Sequence, residues 1–204
     1  MNLKEKIVDY FENQGSKFKS EKSILNQLEI EKGEIQQFES EIKELLTIGY
    51  LLRKRNNLAK NPKSFILRGK FNSIKGGGGF FIPENKEFDD VFVKRENSLN
   101  AFDGDLVLCR IVKRRDEYSA KIVFIIKRSE KNIVGIVSQG YFLPFDGGKP
   151  IVVSSDLNKN IAVVSIDEDG FLKEKIKVIG DPFNPETCIK AIEEKYSLKK
   201  EFKE

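Results

Sequence analysis

Gly69-Lys70-Phe71, then Gly76-Gly77-Gly78-Gly79-Phe80-Phe81-Ile82-Pro83, then Asp90-Val91-Phe92-Val93-Lys94, form the most informative part of the chain. Side chains along a strand point alternately to opposite faces. Phe80 and Ile82 therefore share one face with Phe81 on the other, and Phe92 and Lys94 share one face with Val91 and Val93 on the other. One face reads as core, the opposite face as an aromatic and basic platform. A solvent-facing Phe stacks on a nucleobase of any sequence for roughly 1–3 kcal/mol, and neighbouring lysines neutralise phosphates. The combination suits single-stranded nucleic acid. Most Phe residues are buried, so core packing is the plain alternative for Phe71, Phe80 and Phe92, while Phe81 is assigned to the core. The four glycines precede no Gly-Lys-Ser/Thr and lie between strands, which reads as a flexible turn rather than a phosphate loop.

Around this stretch the pattern has a period of two. Strands are expected at about 68–74, 79–84, 90–94, 105–113 and 119–127, five short strands in some sixty residues, which suggests an OB-type barrel. Upstream the period is 3.6. Residues 3–14 place Leu3, Ile7, Val8 and Phe11 on one face before Gly15, Ser20 opens a short second helix over Ile24, Leu25 and Leu28, and a third runs from about Glu34 to Gly49. Tyr50 to Arg55 reads as a strand, Asn56-Asn57 as its turn and Leu58 as the start of the return. Three helices and a basic hairpin make a winged-helix pattern. Downstream, segments 133–138, 141–143, 150–153, 161–166 and 174–178 look like a shortened copy of the barrel, and Ile189, Ile192 and Tyr196 lie at helical spacing.

The expected architecture is α+β and multidomain: a winged helix over 1–62, a first OB (cold-shock-like) barrel over 65–128, a second over 129–181, and a C-terminal helical linker over 182–204. Composition narrows the chemistry. The chain has 204 residues, no His, and two widely separated cysteines, Cys109 and Cys188, which excludes His-dependent nucleophile systems and the usual Cys/His zinc sites. No apolar run approaches membrane-spanning length and no secretory signal opens the chain, so a cytoplasmic setting without a membrane partner is expected. Charge is uneven: residues 61–128 carry 14 basic and 9 acidic side chains, whereas 1–60 carry 11 and 10 and 129–204 carry 11 and 13. The segment holding the platform carries the basic excess.

The Gly-x-Gly-Phe and Asp-Val-Phe-Val segments resemble the two RNA-binding motifs of cold-shock domains, and Asn100-Ala101-Phe102-Asp103-Gly104-Asp105-Leu106-Val107 resembles the segment that follows them. With the module order and Val178-Ile179-Gly180-Asp181-Pro182, the chain resembles the N-terminal half of the ribonuclease R-type 3′-to-5′ exoribonucleases of the ribonuclease II family. That resemblance implies RNA binding by Phe71, Phe80, Phe92, Lys94 and Lys70. Gly78 stands where the motif usually has an aromatic, and Lys94 where cold-shock proteins usually have His. It also implies a separate catalytic domain in which clustered aspartates hold magnesium. No such run occurs in these 204 residues, so no catalytic residue, metal ligand or cofactor is assigned to them.

Arg53, Lys54 and Arg55 in the expected wing, and Lys113, Arg114 and Arg115 in the loop before the last barrel strand, are candidate phosphate contacts. A charge run is more often a solvated face. Lys127-Arg128 is a candidate extension of that track, and Tyr141, Phe142 and Phe145 divide between stacking and core packing. The expected partner is single-stranded RNA, with structured RNA as a partner of the winged helix. The alternative is a stand-alone winged-helix/OB nucleic-acid-binding regulator, against which the acidic polar face of the third helix argues.

Overall fold

A computed structural model describes residues 1–198 except 76, 115–116, 130–132, 148–149, 154, 166–175 and 197. Helix α1 (Leu3–Gln14) starts where the Asn2 side chain accepts a hydrogen bond from the Glu5 N–H and stops at Gly15, whose φ of 60° no longer fits a helix. Helix α2 (Glu21–Gln27) is capped by Ser20, which accepts from the Ser23 N–H, and α3 (Ile35–Thr47) buries Phe38, Ile42 and Leu45. Strands β1 (Lys19–Ser20), β2 (Leu51–Lys54) and β3 (Asn57–Lys60) pair in the order β1-β3-β2. Lys54 pairs directly with Asn57, so the turn is Arg55-Asn56, one residue earlier than expected, and Arg55 takes a φ of 55°.

Strands β4 (Ile66–Ser73), β5 (Gly79–Pro83), β6 (Val91–Val93), β7 (Leu106–Arg114) and β8 (Glu117–Lys127) form a closed barrel, its seam sealed by the parallel pairing of Val93 with Ala120. Inside lie Phe71, Phe81, Val91, Val93, Val107, Cys109 and Ile122. Part of the outer wall is also apolar. Ile66, Leu108, Phe124 and Ile126 join Leu3, Ile7, Phe11, Phe38 and Leu45 of the helices in a single buried cluster. Asn2 Nδ2 donates to the Ile126 carbonyl at 3.1 Å across the same contact. The polar stretch at 60–64 thus marks a change of period, while the core runs on past it.

Strands β9 (Ile133–Ser138), β10 (Tyr141–Pro144), β11 (Ile151–Val152), β12 (Ile161–Val164) and β13 (Lys177–Gly180) form a sheet in the order β11-β10-β9-β12-β13. This is the neighbour order β6-β5-β4-β7-β8 of the barrel without its closing pair. The expected second barrel is therefore an open sheet among the described residues: β11 has two residues, both taken by β10, and pairs with nothing beyond it. The expected extensions to Ile166 and from Glu174 lie outside the described residues.

Helix α4 (Pro185–Tyr196) packs on β9, β12 and β13. Its buried residues are Thr187 and Ala191, small enough for close approach to the sheet, whereas Ile189, Ile192 and Tyr196 are more than half exposed. No helix among the described residues is long and apolar enough to cross a membrane.

Candidate nucleic-acid interface

The register of β4, β5 and β6 builds one outward face. Lys70 stands opposite Ile82, Asn72 opposite Phe80, and Phe80 opposite Phe92. Phe80 and Phe92 are each 43% exposed, although both carry the kind of side chain a core would take. Their ring centroids are 5.6 Å apart at an interplanar angle of 64°, an edge-to-face pair that holds each ring against its neighbour and leaves ring surface open to solvent. Lys70 and Lys94 are exposed at the margins of this pair. An aromatic pair flanked by cations offers stacking to bases and charge to phosphates.

Phe71 does not belong to this face. It is 1% exposed and stands opposite Phe81 inside the barrel, because the two-residue period that turns Lys70 and Asn72 outward turns Phe71 inward. The ring that resemblance leads one to look for at position 78 is excluded by the backbone: Gly78 has a φ of 78°, and a Cβ there would lie 2.6 Å from the Val93 carbonyl oxygen. The described part of the glycine run is correspondingly tied down, with the Gly77 N–H donating to the Ile74 carbonyl and the Ile74 N–H to the Gly78 carbonyl, both at 3.1 Å.

The other candidate cations divide. Arg53 forms an ion pair with Glu21 at 2.9 Å, and Lys54 and Arg55 are exposed. Lys113 is exposed and lies 5.4 Å from the centre of the Tyr118 ring. The Arg114 side chain and Arg115 lie outside the described residues. Lys127 pairs with Glu5 at 3.6 Å, and Arg128 is buried, donating to Asp105 at 2.9 Å and to the Asn100 carbonyl at 2.6 Å. Neither extends a basic track.

Asp105, which in sequence looks like no more than a turn residue before a strand, is 1% exposed and also accepts from the Phe102 and Ser129 N–H groups at 2.9 and 2.7 Å. Burial pushes its carboxyl above the usual range in spite of these donors and Arg128. The pair ties the loop before β7 to the end of β8. In the second β module Phe142 is fully buried, while Tyr141 and Phe145 are exposed, so the expected aromatic cluster is split between core and surface. Among the described residues no group of three or more acidic or thiol side chains is placed to hold a metal ion.

Residues 69–127 match the family model described as the Ribonuclease B OB domain. The chain is 25% identical to ribonuclease R of Aquifex aeolicus (strain VF5) over 182 residues, covering 76% of this chain and 25% of that protein. Mycoplasma genitalium RNase R in complex with ribose-methylated single-stranded RNA is similar at 20% identity and a TM-score of 0.47, over 67% of this chain and 25% of that one. Yeast Ssd1, a pseudonuclease, is similar at 13% identity and a TM-score of 0.51, over 76% and 26%. The chain spans about a quarter of the length of each of these relatives. With the match centred on the barrel that carries Phe80 and Phe92, the chain resembles the N-terminal region of ribonuclease R.

Proposed function

We propose that this chain is an RNA-binding region that receives single-stranded RNA on the outer face of its first barrel and guides it to a catalytic domain of the 3′-to-5′ exoribonuclease type, acting in the cytoplasm. In this reading the helical unit with its β2–β3 hairpin is a winged helix, the two β modules are cold-shock-like, and magnesium belongs to the catalytic domain alone. The observation that carries the reading is the Phe80–Phe92 pair, exposed and flanked by Lys70 and Lys94. The two rings are contiguous rather than scattered, and they lie on the strand 2–3 face that OB-folds use for oligonucleotides.

The winged helix contributes through its hairpin rather than through α3, where Glu39 and Glu44 are exposed and would repel phosphates. Fluorescence anisotropy with equal-length single-stranded RNA, duplex RNA and duplex DNA across a salt series tests the proposal. Tightest binding to the single strand, with log K falling linearly against log salt, is the expected result. Preference for duplex DNA would replace it with the stand-alone regulator.

A further inference from the structure

The pairing that closes the first barrel also lines up three cations. The parallel register of Val93 with Ala120 sets Lys94 beside Lys121 on the outer wall, and the antiparallel register of β8 with β7 sets Lys121 directly opposite Arg110. Lys94 just past the end of β6, Lys121 on β8 and Arg110 on β7 thus stand in a row. All three are exposed, and among the described residues none makes an ion pair with a carboxylate. Arg110 donates to the Ile48 carbonyl at 2.6 Å, which anchors the far end of the row at the C-terminus of α3.

Like charges directly opposite one another on a sheet are destabilising, and neighbouring strands are only about 5 Å apart, so stability alone does not favour this row. A polyanion does. The adjacent row on the same wall contains Phe80 and Phe92 and continues to Ser119 and Val112, so Lys94 borders the aromatic pair while Lys121 and Arg110 border its continuation.

We propose that Lys94, Lys121 and Arg110 form a phosphate track that carries the backbone of single-stranded RNA from the Phe80–Phe92 pair across β8 to Arg110 on β7. The inference rests on the RNA-binding reading and adds Lys121 and Arg110, which no sequence pattern singled out, together with the direction of the strand. Because Lys121 and Arg110 lie beyond the stacking pair, a short strand that fills only the rings reaches Lys94 but not these two.

The test uses the full chain, two 5′-fluorescein oligouridylates of about 4 and about 16 nucleotides, and the variant Lys121→Gln/Arg110→Gln. The variant is expected to bind the short probe as the wild type does and the long probe about fivefold more weakly at low salt. Its log–log salt slope should be shallower by about 1.4, two lost phosphate contacts on a single strand. Thermal unfolding at or above the wild-type temperature is expected, because repulsion within the row is relieved. Unchanged long-probe affinity and slope in a folded variant overturns the track and leaves the stacking reading standing. No binding of either probe by the wild type overturns both. If poly-glutamate displaces the long probe at equal charge concentration, the row serves an acidic protein and the RNA assignment falls.

Discussion

The two β modules share a plan and differ in what they show to solvent. Gly69 faces Pro83 in the barrel and Gly135 faces Pro144 in the open sheet, with Phe81 and Phe142 buried two residues before each proline. At both glycines a Cβ would strike the backbone carbonyl of the residue before the proline, Ile82 or Leu143, so the close approach of the strands is the same. Even the bulge recurs, at Leu106/Val107 and at Ile161/Ala162. The outer faces diverge. Where the barrel has Lys70, Phe80 and Phe92, the sheet has Ile136, Tyr141 and Val152. Inward positions are held by packing, outward ones are free to differ, and the difference removes the cation and one of the two facing rings. It teaches that a repeated frame does not by itself repeat the outer face.

The largest effects test the shared frame. Phe81→Ala and Phe142→Ala each empty a fully buried ring site and are expected to cost about 3–5 kcal/mol in urea unfolding. A cost below about 1 kcal/mol for Phe142→Ala alone would break the comparison, because the open sheet would then lack a core packed like that of the barrel. Asp105→Ala is expected to be comparably severe, about 3–5 kcal/mol, since it leaves the Arg128 guanidinium buried without its carboxylate at the end of β8.

Next comes the divergent face. Phe80→Ala/Phe92→Ala is expected to lose about 1–3 kcal/mol of single-stranded RNA affinity for each base no longer stacked, read by anisotropy, with the salt slope retained because Lys70 and Lys94 remain. The matched pair Tyr141→Ala/Val152→Ala is expected to change affinity less than about twofold. Equal losses from the two pairs would mean that both faces bind RNA and that the absent cation is immaterial.

Much of this frame was legible in the sequence because its determinants are local. The spacing of Leu3, Ile7, Val8 and Phe11 before Gly15 marks α1 to the residue, and alternation through Phe80-Phe81-Ile82 and Val91-Phe92-Val93 separates surface from core. Phe71 shows where a motif misleads: its place near the platform in sequence says less than its parity with Phe81 across the β4–β5 register. The partners of Arg128 and Arg53 lie 23 and 32 residues away, and no spacing rule reveals such pairs. The outward stripe of α4 was legible as a stripe but not in its direction. Tertiary contact with β9, β12 and β13 favours the small side chains Thr187 and Ala191 over the larger Ile189 and Ile192. Lys121 and Arg110 escaped for a related reason. Each is an ordinary surface cation until the barrel closes and brings β6 beside β8 and β8 beside β7.

A gain of affinity, rather than a loss, asks whether the divergent face can be restored. Ile136→Lys/Val152→Phe places a cation at the position equivalent to Lys70 and a ring opposite Tyr141, as Phe92 stands opposite Phe80. Val152 is 73% exposed, so the new ring meets little steric resistance, and Ile136 is half-buried, so a lysine there can lay its stem along the sheet and keep its ammonium in water. One stacked base and one phosphate contact are expected to tighten single-stranded RNA binding by about threefold to tenfold, with a salt slope steeper by about 0.7. The gain should be present for a long strand that spans both modules and absent for a short one already held by Phe80 and Phe92. If the doubly substituted protein folds and binds the long strand no more tightly, outward side chains are not what separates the two modules. The closed seam of the barrel, which brings Lys94 and Lys121 together, would then be the feature that makes one of them a binding surface.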